Sequence, residues 1–360
     1  MADGTPIEWT DATWNPITGC SVHSAGCTNC YAMKLAGTRL QHHESRKGLT
    51  VDTKAGPVWN GEVRFNEAWL TEPLRWKRPR RIFVVAHGDL FHEAVPDAWI
   101  DRVFAVMALC PQHQFQVLTK RADRMREYVT AWHERVRANG ELGLGLPGKA
   151  DDLLTLADLS NERLHIENVA AGYRNIWLGV SVEDQRAANE RIPDLLSTPA
   201  AVRWVSAEPL LGPLDLTDHC NGHYFQNFLT GERWHDAPEG QHGARDHQGG
   251  RLDWVVAGGE SGPGARPMHP DWVRDLRDQC AAAGVPFLFK QWGGWTPGEN
   301  VERRTGWVNG AHWFDNRWLF EEQNLAATDG HIDDEPDLYL VGKKAAGRML
   351  DGQLHDGFPA

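Results

Sequence analysis

Three of the chain's six cysteines fall within eleven residues, in the stretch TGCSVHSAGCTNCYA at 18–32. Cys20, Cys27 and Cys30 form the pattern C-x6-C-x2-C. Gly19 and Gly26 each precede a cysteine, so the backbone can turn tightly there. Where thiols stay reduced, clustered cysteines bind metal more readily than they pair as disulfides. Two metal chemistries suit the spacing. Zinc wants four ligands, and His23 would complete a set as C-x2-H-x3-C-x2-C. Alternatively, three thiolates can hold a [4Fe-4S] cluster and leave one iron open to a substrate or cofactor.

Other reactive side chains follow short apolar runs. His87, Asp89 and His92 come after IFVVA (82–86), and Lys120 and Arg121 after FQVLT (115–119). Ser181, Glu183 and Asp184 come after IWLGV (176–180), and Glu208 after VRWVSA (202–207). Gly258, Gly259 and Glu260 close LDWVVAGG (252–259), and Lys290, Gln291 and Trp292 close VPFLF (285–289). His87, Asp89 and His92 are spaced closely enough to suggest a zinc hydrolase, a further alternative. The GGESGPG stretch at 258–264 lacks the lysine pattern of a phosphate-binding P-loop.

The runs themselves are β-branched, aromatic and nearly continuous, as strands buried on both faces must be. Helical patterns lie between them. The segment 96–110 places Ile100, Val103, Phe104 and Met107 on one face, and 269–284 does the same with Trp272, Val273, Leu276 and Cys280 before a Gly284 cap. Segments 121–136 and 184–197 are also helical by pattern, with Pro193 expected to break or kink the latter. IEWTDATWNPIT, ahead of Cys20, supplies one more short strand.

This alternation predicts an α/β fold: a parallel (β/α) barrel, partial or complete, of six or seven βα units, with a doubly wound open sheet as the alternative. The barrel is expected over 1–296, with loop insertions at about 137–170 and 215–250. A C-terminal extension, 297–360, is expected to pack on it through its tryptophans. In such a fold chemistry collects at the C-terminal ends of the strands, where the polar residues above fall.

The chain has 360 residues, 41% of them hydrophobic, and 17 are tryptophan, which we assign mainly to packing. A net charge of −12 excludes a general basic coat for nucleic acid. A local stripe remains: Arg75, Lys77, Arg78, Arg80 and Arg81, interleaved with Trp76. No apolar run is long enough for a membrane span, and the N-terminus lacks the regions of a signal peptide. A cytoplasmic protein is expected. Cys110 and Cys280 lie in apolar patterns and are expected to be inert core residues.

The three-cysteine loop after a first strand resembles the radical S-adenosylmethionine superfamily. The common spacing there is C-x3-C-x2-C, with an aromatic residue before the last cysteine. Here the first gap is six, Asn29 precedes Cys30, and Tyr31 follows it. Across nearly the whole chain, TWNPITGC…GCTNCYA, DLFHEAVPD, VLTKRADRM, WLGVSVEDQ, SAEPLLGP, GGESGPGARP, FLFKQWG and VGKKAAGRMLDG are similar to a phage- and bacterium-associated family of uncharacterised three-Cys-motif proteins.

The resemblance implies that Cys20, Cys27 and Cys30 ligate a [4Fe-4S] cluster whose open iron binds S-adenosyl-L-methionine. An external electron donor then allows formation of a 5′-deoxyadenosyl radical. Asp89 or Glu208 would hold the cofactor's ammonium and Lys120 its carboxylate. Ser181 and Glu183 would bind the ribose, Gly258 and Gly259 would admit the adenine, and Tyr31 would serve the cofactor or pack. Glu260, Lys290 and Gln291 are left for the substrate. Phage association points to a nucleic-acid base or nucleoside, modified or repaired, with a protein partner carrying the nucleic acid as one route. The competing expectation is a zinc-stabilised, non-catalytic nucleic-acid-binding or adaptor protein.

Overall fold

A computed structural model describes residues 4–138, 174–235, 249–301, 306–324 and 337–360. Of the two expected insertions, most of 137–170 and the later part of 215–250 lie outside the described residues. The chain divides into two compact units, Met1–Ser181 with Glu190–Trp204, and Val182–Asn189 with Val205–Ala360.

Seven strands form one sheet: β1 (Ala12–Trp14), β2 (Arg81–Val84), β3 (Gln114–Thr119), β4 (Ile176–Ser181), β5 (Val202–Ala207), β6 (Trp254–Gly258) and β7 (Phe287–Gln291). Each strand neighbours the next in sequence. The registers of β1 with β2, β2 with β3, β3 with β4, and β6 with β7 are parallel. The fold is therefore α/β with a parallel sheet. A doubly wound sheet reverses its order at a switch point, and this one does not. Every residue of β4 and β6 is buried, which is why their sequences read as continuous apolar runs.

The helices follow their periodicity. They are α1 (Tyr31–Gly37), α2 (Asp97–Ala108), α3 (Ala122–Ala138), α4 (Gln185–Ser197) and α5 (Pro270–Ala283). The face of α2 formed by Ile100, Val103, Phe104 and Met107 is buried, as is that of α5 formed by Trp272, Val273, Leu276 and Cys280. In α5, the His269 side chain accepts a hydrogen bond from the Asp271 amide at the N-terminus, and Gly284 ends the helix in the left-handed region. Pro193 does not end α4, which continues to Ser197.

Within the first unit, Trp9 packs against Phe83 and Trp204, and the Trp14 indole donates to the Trp69 carbonyl. The second unit ties down its own tail. Trp254 donates to the Gly357 carbonyl and Trp292 to the Met349 carbonyl, both at 2.7 Å. Residues 355–357 run antiparallel along β7: the Phe289 amide donates to His355, and the Gly357 amide to Phe287. The tail thus covers a strand edge that would otherwise offer unpaired backbone groups.

Two expectations need correction in detail. Lys290 and Gln291 lie inside β7, not beyond it, and the register of β6 on β7 shifts between Ala257 and Gly258. The 215–250 segment is not all loop: His219–Cys220, Phe225–Gln226 and Arg233–Trp234 form a small antiparallel sheet. Cys110 and Cys280 are buried and free, as expected, and Cys220 is exposed. Among the described residues, no helix is long and apolar enough to cross a membrane.

Trp295–Pro297, Trp307–Phe314, Arg317–Asn324 and Asp337–Leu340 form a four-stranded antiparallel sheet with Arg317–Asn324 at one edge. His312 links three of these segments: Nε2 lies 2.7 Å from Glu321 Oε1, and Nδ1 pairs with Asp337. Burial alone would lower its pKa; the Glu321 hydrogen bond and the charges of Asp337 and Glu321 outweigh burial and hold the pKa above the ordinary value. A raised folded-state pKa gives stability that is fully present below the unfolded pKa and is lost as pH rises through the folded pKa. The melting-temperature advantage of the native protein over His312→Gln should therefore be largest in mildly acidic buffer and shrink on moving to alkaline buffer.

Candidate active site

The cysteine loop is placed by two glycines. Gly19 has φ of +99°, and a Cβ there would lie 2.2 Å from the Glu62 carbonyl oxygen. A Cβ on Gly88 would lie 2.8 Å from the Gly19 carbonyl oxygen. The two backbones touch in a parallel bridge, with the Gly19 amide donating to the His87 carbonyl at 3.2 Å. Only residues without side chains allow this approach. It brings Cys20, which follows β1, beside Asp89, which follows β2. Val85 turns the chain out of β2 at φ of +57°, a costly conformation for a β-branched residue.

Asp89 and Arg121 form the electrostatic centre of this region. Both are buried, and Arg121 Nη1 lies 3.0 Å from Asp89 Oδ2. Asp89 also accepts from Thr119 Oγ1 at 2.7 Å and from the Phe91 and Lys120 amides. Both its oxygens are engaged inside the protein. Asp89 thus holds Arg121 and the end of β3. Arg121 spreads its remaining donors over Glu93 Oε1 (2.8 Å), Ser21 Oγ (2.7 Å) and Cys20 Sγ (3.8 Å). Burial opposes its charge, but Asp89, Cys20 and Glu93 together keep its pKa above the ordinary arginine value.

The thiols respond to the same surroundings. Burial pushes the Cys20 thiol up to about 12; the Asp89 charge adds to the effect, Arg121 opposes it, and Cys27 and Cys30 add to it. The three sulfurs are near enough to feel one another. Burial also raises the Cys30 pKa, against hydrogen bonds from the Met33 and Ala32 backbone and the Trp59 side chain. Cys20 and Cys30 pack on the apolar cluster of Ala32, Met33, Ala36, Leu49 and Trp59. The His23 amide donates to Cys27 Sγ at 3.5 Å. All three thiols are free and half-buried.

As a donor set they suit soft metal centres: three sulfurs on one loop, N–H donors aimed at one of them, and a guanidinium beside another. Among the described residues, no three His, Cys, Asp or Glu side chains converge on a point that could hold a single ion.

His87, Asp89 and His92 do not come together as a ligand set. His92 Nδ1 accepts from the Ala94 amide, so Nε2 carries the proton and donates to Ser21 Oγ at 3.0 Å. His87 stands edge-on to Tyr31, with ring centroids 5.9 Å apart, and the Tyr31 hydroxyl donates to the Ala86 carbonyl at 2.6 Å. Lys120 contributes its amide to Asp89. Ser181 is buried at the end of β4, where its carbonyl accepts from Arg191. The basic stripe precedes β2, at the end of the strand away from the cysteines; there Arg80 lies over Trp76 at 4.9 Å, and Arg81 pairs with Asp11.

In the second unit, the other strand-end residues are paired. Lys290 Nζ lies 2.9 Å from Glu208 Oε1, and Ser206 Oγ donates to Glu208 Oε2. A Cβ on Gly258 would lie 2.9 Å from that same Glu208 oxygen, and one on Gly259 only 1.9 Å from the Trp292 carbonyl oxygen. At both positions neighbouring protein atoms leave no room for a Cβ. Glu260 is buried and gripped by Arg266 through Nε (2.9 Å), Nη2 (2.6 Å) and the backbone amide. Glu183 is buried, and its carbonyl accepts from the Leu211 amide. Gln291 Nε2 donates to Gly259, while its buried Oε1 has no partner.

Sequence reasoning passed over Ser21 and Glu93, and noted Arg121 only as a strand-end cation. Arg266 was equally invisible. One signal was available for Arg121: it stands two residues beyond a largely buried strand, where a buried cation needs an acid from a neighbouring strand end.

A family model described as "Protein of unknown function (DUF5131)" matches residues 4–359. No curated protein and no solved structure matches the chain.

Removing one partner of a buried ion pair leaves the other charge uncompensated. Arg121→Ala should therefore cost about 3–5 kcal/mol in urea unfolding. The double variant Asp89→Asn with Arg121→Met should lose clearly less than the sum of the two single losses. Additive losses would show that the pair is not coupled.

Proposed function

The chain belongs to the DUF5131 family, and from that premise we propose that it is a radical S-adenosylmethionine enzyme acting on a nucleic-acid base or nucleoside. The observation that carries this reading is the loop itself. Three free, half-buried thiols follow the first strand of a sequentially ordered parallel sheet, with the Arg121 guanidinium 3.8 Å from the first of them. The sequential order also favours a partial (β/α) barrel, with the C-terminal extension of 297–360 added to it.

Cys20, Cys27 and Cys30 would hold a [4Fe-4S] cluster. When bound, the cluster would supply one electron, drawn from an external donor, to the sulfonium of S-adenosyl-L-methionine and so yield a 5′-deoxyadenosyl radical. The protein's own residues do the positioning. Asp89 fixes Arg121, and Arg121 in turn fixes Ser21 and the Cys20 sulfur. A cation beside a ligating sulfur favours its thiolate form, which the metal-free surroundings disfavour. Tyr31, half-exposed next to Cys30 with its hydroxyl donated to the Ala86 carbonyl, would offer its ring to a bound cofactor. Lys290 and Glu208 form a partly exposed ion pair suited to moving a proton or orienting a polar substrate. Cytoplasmic thiols, kept reduced, would be competent for metal loading.

Anaerobic reconstitution with iron and sulfide tests the proposal. About four irons per chain, the content of one such cluster, are expected, with 5′-deoxyadenosine formed after dithionite and S-adenosylmethionine are added. Cys20→Ala, Cys27→Ala and Cys30→Ala should each abolish both. One tightly held zinc, with no iron and no cofactor cleavage, would instead establish the thiols as the staple of a binding or adaptor protein.

A further inference from the structure

Ser21 stands between the first thiol of the loop and two buried donors. Arg121 Nη2 lies 2.7 Å from Ser21 Oγ, and His92 Nε2 lies 3.0 Å from the same oxygen. A guanidinium can only donate. His92 also donates here, because its Nδ1 accepts from the Ala94 amide at 3.1 Å, which puts the ring proton on Nε2. A serine oxygen has two lone pairs. Both are taken, one by a cation and one by an imidazole N–H, so the hydroxyl sends its own proton in the one direction left.

This arrangement excludes one role and leaves another. A serine beside a histidine can be a nucleophile with its base, but only where the ring nitrogen facing the hydroxyl is unprotonated. Here that nitrogen carries the proton and cannot take one from Ser21. Donation remains. Among the described residues the Ser21 hydroxyl meets no acceptor; its side-chain bonds are the two it accepts. Arg121 and His92 are 3% and 4% exposed, whereas Ser21 is only partly buried. The two donors thus lie on the protein side of the oxygen, and its proton is turned to the open side. Arg121 Nη1 reaches Cys20 Sγ at 3.8 Å, so this sulfur and Ser21 Oγ are held by adjacent nitrogens of one planar group.

We propose that Ser21 donates a hydrogen bond to a sulfur of the metal centre bound by Cys20, Cys27 and Cys30, and that Arg121 and His92 aim it. The inference rests on the metal reading of the thiols above, but not on the chemistry of S-adenosylmethionine. Anionic sulfur, whether a metal-bound thiolate or a cluster sulfide, is the acceptor that a hydroxyl beside a ligating cysteine meets. A hydrogen bond to such a sulfur stabilises the more negative, reduced form and so raises the reduction potential. Ser21 is therefore a positioning residue that tunes the centre, and not a ligand of it.

The test uses full-length protein reconstituted anaerobically with iron and sulfide, with the midpoint potential followed by electron paramagnetic resonance. Ser21→Ala should take up as much iron as the native protein yet be about tenfold harder to reduce, ~59 mV lower for a one-electron couple. Ser21→Thr keeps the hydroxyl and should stay near the native value. His92→Phe leaves the hydroxyl but frees it to turn, so its potential should fall by less than that of Ser21→Ala. Where Ser21→Ala does not fold, His92→Phe decides, and a native potential there overturns the proposal. So does a native potential in Ser21→Ala, or an equal fall in Ser21→Thr. If no iron is taken up, the radical reading fails and the hydrogen bond is read with cobalt(II) on the thiols instead. Ser21→Ala should then move the sulfur-to-cobalt charge-transfer band to longer wavelength, and Ser21→Thr should leave it in place. An unmoved band, or uptake of neither metal, overturns the proposal.

Discussion

A guanidinium and a carboxylate, both withdrawn from water, meet where β2 and β3 end, and the arrangement around the first cysteine depends on them. Removing either partner would leave the other as an uncompensated buried charge. Their mutual attraction fixes a fork whose free arms reach Ser21 and Cys20. The contact of Gly19 with Gly88 is the steric half of the same device, since it brings the chain after β1, and with it Cys20, up to the end of β2 where Asp89 stands. Charge and backbone together define where the cysteine loop begins.

The same logic recurs along the sheet. Glu208 is matched by Lys290 and Glu260 by Arg266, each within a few residues of a strand end. Three strand-end acids, Asp89, Glu208 and Glu260, are thus held by cations, and Gly258 makes room for one of these pairings. A polar residue at the C-terminal end of a strand is thus not automatically free for a ligand. The groups left over after this pairing are more informative about ligands than the paired ones, and the Ser21 hydroxyl proton and Gln291 Oε1 belong to that remainder.

Much of the architecture was legible in the sequence because it rests on local pattern. Runs such as IWLGV and LDWVVAGG read as strands buried on both faces, and β4 and β6 are so buried. The apolar faces of α2 and α5 and the Gly284 cap followed from periodicity and backbone preference. The rest depends on contacts between distant positions. Nothing local says that Arg121 will meet Asp89 and Ser21, because that pairing is set by the parallel registers of three strands. Arg46 sits in a turn whose sequence, HHESRKG, reads as solvated surface, yet it is buried, with its guanidinium over Trp69. Pro193 was expected to break or kink α4; it does not break it, as its local cost is outweighed by the buried face formed by Ala187, Ala188, Ile192 and Leu195.

The tail that lies along β7 and the strand Arg317–Asn324 give the second unit two contrasting borders. One is closed by the chain's own last residues. At the other, among the described residues, Arg317–Asn324 is paired on one side only, and it carries an exposed Phe320. Adjacent on that open border are Glu321 and Glu322, so a second copy approaching edge to edge would bring like charges into register. Colloidal behaviour is therefore written into this border: acid or high salt, by quenching those charges, turns a guarded edge into a template for stacking one molecule on another.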